Sequence, residues 1–152
     1  MNFVSKYFNW LQKDNPRNIV ESYPEIDEQK ETSVQGVYIV GDLTGIPLLR
    51  LAADGGTKIV KQLFSVQKAT SEKEKSTDVY DLIIVGAGPA GISAAIECKK
   101  ENINYIILES NRILNTIENF PKWKPITLKP NGVQLELPLK MNDGFKETLL
   151  EE

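Results

Sequence analysis

Gly86, Gly88 and Gly91 fill the pattern G-x-G-x-x-G inside the run DLIIVGAGPAGISAAIE, and Glu109 follows eighteen residues after the last of them. Glycine at the first position permits a tight turn. At the second it lets the backbone approach a diphosphate with no Cβ in the way, and at the third it lets the following helix lie close to the strand. Pro89 and Ala90 complete the turn, and the N–H groups that open the next helix, with about half a unit of positive partial charge, favour a diphosphate there. A carboxylate at the end of the next strand is placed to accept hydrogen bonds from the two hydroxyls of an adenosine ribose, and it would repel a 2′-phosphate. These residues therefore point to FAD or NAD over NADP.

The elements that must position this chemistry are a strand over 80–85, a helix over 89–101 and a second strand over 105–108, a βαβ unit. Upstream, residues 37–40 (VYIV) read as a buried strand between Gly36 and Gly41-Asp42. A helical pattern follows over 47–64, opened by Pro47 and interrupted by Gly55 and Gly56, which mark either a break or a close backbone approach. Residues 3–11 carry Phe3, Val4, Tyr7, Phe8, Trp10 and Leu11 at amphipathic helical spacing. Downstream of 108 come a loop through NTIENFPKWKP, a short alternating strand over 133–137, and a helical start near Asn142.

The expected organisation is an N-terminal amphipathic helix and connection over 1–33, a strand-helix unit ending in Gly-Asp over 34–64, a charged linker over 65–79, and the glycine-rich βαβ unit with a truncated continuation over 80–152. The fold class is α/β: a Rossmann-like parallel sheet, incomplete or permuted, with strands 37–40, 81–85 and 105–108 side by side. Asp42 and Gly86 would then share one end of the sheet. Both faces of a parallel sheet need cover, and the three helices are the available covers.

Composition removes other chemistries. The chain has 152 residues, 41% hydrophobic and 26% charged, and a net charge of -3, which gives no basic field for nucleic acid or anionic lipid. It has one cysteine, Cys98, and no histidine. Disulfide or C-x-x-C redox chemistry, a cysteine-rich metal cage and a histidine-assisted nucleophile are thereby excluded, so no catalytic or metal-ligating residue is assigned and a cofactor must carry the reaction. Cys98, inside the helix, reads as a small core residue. Lys6, Asn9 and Lys13 interrupt the opening aromatics, so no signal peptide is read; the chain is expected in the cytoplasm, without a membrane partner.

GAGPAG with the following Ser93, Ala94 and Ala95 resembles the N-terminal FAD-binding signature of thioredoxin-reductase-like and pyridine nucleotide-disulfide oxidoreductase flavoproteins. Residues 116–121 (TIENFP) resemble the loop that these proteins place beside the flavin, which implies that Asn119 contacts the isoalloxazine. Residues 36–45 (GVYIVGDLTG) are similar to the C-terminal FAD motif of the same families. That likeness implies that Gly41 and Asp42 meet the ribityl chain, with the backbone of 46–48 near the flavin.

The order is reversed, because in complete members the Gly-Asp motif comes last. A second G-x-G-x-x-G and the catalytic cysteine pair are absent, and Ala90 stands where bacillithiol-disulfide-reductase-like flavoproteins keep a cysteine. The resemblance implies the FAD-binding portion of an oxidoreductase passing hydride from NAD(P)H, the co-substrate of the complete enzyme, through FAD to an acceptor. The complement would be a missing nicotinamide-binding domain or a protein electron acceptor, and this chain alone is expected not to turn over. Two alternatives stay open: a simple NAD-binding Rossmann domain, and a non-catalytic vestigial flavoprotein that serves as an interaction module.

Overall fold

A computed structural model describes residues 23–65, 79–126, 134–138 and 144–151. The expected N-terminal helix and nearly all of the linker lie outside the described residues.

The βαβ unit forms where the pattern places it. Strand β1 (Leu82–Val85) pairs in parallel with β2 (Tyr105–Leu108), with Leu82 opposite Tyr105 and Val85 opposite Leu108. Between them in sequence runs a helix over Pro89–Lys100, which begins at proline, where a missing N–H costs nothing, and carries Lys99 and Lys100 in its last turn, where cations complement the helix dipole. Upstream lies a helix of 17 residues, Leu49–Ser65. In chain order these two helices are α1 (Leu49–Ser65) and α2 (Pro89–Lys100).

Alternate strand residues settle where the core sits. Ile84 is buried beneath Ala94, Ala95 and Cys98 of α2, and α1 contributes Ile59 and Val60 to the same cluster. The opposite sheet face shows Ile83, Val85 and Leu108 exposed, Val85 at 83%. The expectation that both faces are covered is therefore not met among the described residues. A second, smaller cluster joins Ala53 of α1 to Ile117 and Leu149. Glu97 is buried on α2, and Lys61 of α1 and Lys100 both pair with it, so its charge is compensated.

Two expected strands do not form. Residues 37–40 do not join β1, and their one ladder contact is an antiparallel bridge from Tyr38 to Glu31. Their backbone groups are satisfied locally: Thr32 N–H donates to Val37 C=O, and Ile39 N–H donates to Lys30 C=O. Tyr38 and Val40 put their apolar side chains against the α1–α2 core instead. The alternation at 134–137 is likewise no strand. That segment crosses α1, where Glu136 N–H donates to the Asp54 carboxylate at 2.7 Å and Leu137 packs on the second cluster. A period of two reflected one side facing a helix, not a sheet.

The remaining elements are small. A one-turn helix α3 (Asn115–Glu118) occupies part of the expected loop, β3 (Pro125–Ile126) pairs antiparallel with β4 (Gly144–Phe145), and α4 (Lys146–Glu151) supplies the helix expected near the C-terminus.

Candidate functional site

The glycine turn has the geometry its residue types demand. Gly86 sits at φ +97°, and its N–H donates to Leu108 C=O at 2.8 Å, which ties the turn to the end of β2. A Cβ at Gly91 would lie 2.0 Å from the Gly86 carbonyl oxygen, so only glycine lets α2 start this close to β1. Among the described residues nothing stands within 4 Å of the Cβ position of Gly88, the N-cap of α2, and no side chain caps that helix end. An anion thus has an open approach to uncapped N–H groups.

Glu109 closes the same turn. Its Oε2 accepts the Ala87 N–H at 2.6 Å and its Oε1 accepts the Asn111 N–H at 2.9 Å. These backbone bonds, the one from Ala87 foremost, hold its carboxyl below the usual glutamate range, so it is a carboxylate at neutral pH. Ala87 is 1% exposed, and its C=O accepts the Leu114 N–H at 2.9 Å at the start of α3. One residue therefore joins the glycine turn, the end of β2 and α3. In the sequence Ala87 carries no signal of this role beyond its place between two required glycines.

The Gly-Asp segment reaches this turn by a different route from the one expected. Residues Gly41–Thr44 form a 3-10 turn, with Gly41 at φ +80° and the Thr44 hydroxyl donating to Gly41 C=O at 2.8 Å. A Cβ at Gly41 would lie 3.1 Å from the Ala90 Cβ, and one at Gly56 would lie 2.0 Å from the Ala90 carbonyl oxygen. Both the 3-10 turn and α1 are thus seated on the first turn of α2. Gly41 is brought beside Ala90 by helix packing rather than strand pairing, and Asp42 next to it is exposed.

Asn119 is the C-cap of α3, and its Nδ2 donates to the carbonyl and side-chain oxygens of Asn115 at 2.9 and 3.2 Å. The described hydrogen bonds link it to neither Asp42 nor Glu109. Cys98 is fully buried, and burial pushes its thiol up to about 11, which suits a packing residue and not a nucleophile. A cleft of about 320 Å³ lies along α1, lined by Gly41, Thr44, Ala52 and Ile59 among others. Gly86, Gly88, Gly91, Glu109 and Asn119 do not line it, so it is distinct from the glycine turn. Among the described residues no cluster of three His, Cys, Asp or Glu could hold a metal ion, and no helix is long and apolar enough to cross a membrane.

Comparison with known proteins follows the same residues. Positions 83–138 match the family described as pyridine nucleotide-disulphide oxidoreductase. A thioredoxin reductase of Mycoplasma genitalium is 45% identical over 67 residues, which is 40% of this chain and 21% of that protein. Over this part the chain resembles FAD-dependent pyridine nucleotide oxidoreductases. A ferredoxin--NADP reductase of Ignicoccus hospitalis is 36% identical over 67 residues, 44% of this chain and 21% of the relative. A bacilliredoxin reductase of Bacillus subtilis is 44% identical over 39 residues, 26% and 12%. The chain spans about a fifth of the length of the first two of these relatives. No solved structure matches.

Proposed function

We propose that this chain is the FAD-binding portion of a flavin-dependent oxidoreductase that passes hydride from NAD(P)H through FAD to an acceptor, working in the cytoplasm. The observation that carries the reading is the seating of Gly41 against Ala90, because it brings two separate flavin-type signatures to one helix end. In this reading the signatures serve one site in permuted order, and the chain works with a nicotinamide-binding domain or a protein electron acceptor.

The residues present fit the cofactor. Gly86, Gly88 and Gly91 leave an open backbone cradle at the uncapped start of α2, which would hold the diphosphate with Pro89 and Ala90. Glu109, ionised and fixed by two backbone N–H groups, would orient the adenosine ribose. Asp42 would hold the ribityl hydroxyls and Asn119 would meet the ring. FAD supplies the hydride chemistry, and the protein supplies binding, orientation and a carboxylate that discriminates against a 2′-phosphate.

The experiment that tests this reading is a titration of the purified full chain with FAD and with NAD, followed by visible absorbance after gel filtration. We expect a yellow protein that retains FAD in the presence of excess NAD. A colourless protein that holds NAD would assign the glycine turn to a simple dinucleotide domain, and the flavin reading would be withdrawn.

A further inference from the structure

Register sets Ile83 opposite Ile106 and Val85 opposite Leu108, so these four side chains share the sheet face turned away from α2. Their alternates, Leu82, Ile84, Tyr105 and Ile107, all join the core beneath α2. On the open face Ile83, Val85 and Leu108 are 58%, 83% and 49% exposed. α1 does not cover them, because its Ile59 and Val60 lie in the cluster with Ile84 on the other side. Parallel strands that are apolar on both faces are built to be covered on both. No charged or hydrogen-bonding side chain stands among the four, so their cover is apolar, and no described residue supplies it.

The size of this face selects its occupant. Two strands of four residues, about 13 Å long and about 4.8 Å apart, match one helix of roughly 10 Å diameter. In the sequence, Phe3, Tyr7 and Trp10 recur at spacings of four and three, and so do Val4, Phe8 and Leu11. Wound as a helix, residues 3–11 would run about 13.5 Å with these six on one stripe. Residues 12–22 join that stripe to Tyr23, the first described residue, and fully extended they reach about 36–40 Å, ample for a domain of this size. A second copy of the chain fits less well, since four aliphatic side chains fall short of the roughly 800 Å² per partner of a stable interface. A tethered segment, by contrast, is held at an effective concentration on the order of millimolar. We propose that residues 3–11 dock their apolar stripe on the face of Ile83, Val85, Ile106 and Leu108, as a third layer formed within one chain. This docking needs no cofactor.

The test is the rate at which a maleimide reagent labels a thiol introduced on the open face, in the full chain carrying Val85→Cys. Cys98 is fully buried, so its failure to react reports in every variant that the core is intact. The introduced thiol should react about ten-fold more slowly than in the same chain with Val4→Asp and Phe8→Asp added, as when a covered form is populated ten to one. Lys6→Asp, which changes charge but leaves the stripe whole, should keep the protection, and protection should not vary with protein concentration. Equal, fast labelling with and without the two aspartates would overturn the proposal. So would protection that grows with protein concentration, which would give the face to a second copy. If Cys98 reacts, Val85→Cys has disturbed the core, and Ile83→Cys on the same face is labelled instead, with the same expected difference.

Discussion

Glu109 holds the Ala87 N–H inside the glycine turn with the same carboxylate that, in the proposed site, would receive the ribose. Hydrogen bonds from Ala87 and Asn111 favour its charged form, so its pKa lies below the ordinary glutamate value of about 4.3. A depressed folded-state value means that the stabilisation of the turn is fully present above the unfolded pKa and is lost as pH falls through the lowered one. The Ala87 amide resonance, followed from neutral pH downward, should shift with an inflection below about 4.3, and Glu109→Gln should abolish that inflection. An inflection at or above the ordinary value would mean that the bond is not formed in solution. Glu109 was legible in sequence because its distance from the glycines is fixed by one helix and one strand. Ala87 was not, since its role depends on two backbone bonds that no side chain advertises.

Among the elements, α1 shows what a residue pair can and cannot tell. Gly55 and Gly56 were readable as a break or as a close approach, and the helix in fact runs unbroken through both. Gly56 makes the close approach, to the Ala90 carbonyl, whereas a Cβ at Gly55 would meet only Val40 at an ordinary 3.9 Å. Gly55→Ala should therefore stabilise the chain by about 0.5–1 kcal/mol through helix propensity. Gly56→Ala should destabilise it by roughly 1–3 kcal/mol through forced separation of α1 from α2. Denaturant midpoints of the two variants decide the matter, and equal shifts of one sign would contradict the packing described. The βαβ unit was legible nearly to the residue, since hydrophobic runs, proline and glycines all agree locally. Residues 37–40 were misread because an apolar β-branched run between glycines looks the same whether it pairs with a strand or lies against helices. That choice was made by the partners available at 30–32 and on the α1–α2 core.

At the scale of the whole molecule, the α/β class and the parallel pairing of β1 with β2 followed from sequence, while the manner of joining the two halves did not. The halves meet through α1 and the 3-10 turn docking on α2, a contact between residues more than thirty positions apart that leaves no periodic trace. The exposure of Ile83 and Val85, on a sheet face that no described residue covers, lay equally beyond reach, since burial of a β-branched strand is read from its own residues and not from its neighbours.

The central claim is that these two halves serve one FAD site. It is tested most directly by the affinities of the parent, Asp42→Ala and Glu109→Ala chains for FAD and for ADP. Each substitution removes charge-assisted hydrogen bonds and should weaken FAD binding roughly ten- to a hundred-fold. Only Glu109→Ala should weaken ADP, because Asp42 is assigned to the flavin half. An Asp42→Ala chain that binds FAD as tightly as the parent, while Glu109→Ala does not, would contradict the claim and leave the Gly-Asp segment to some other role.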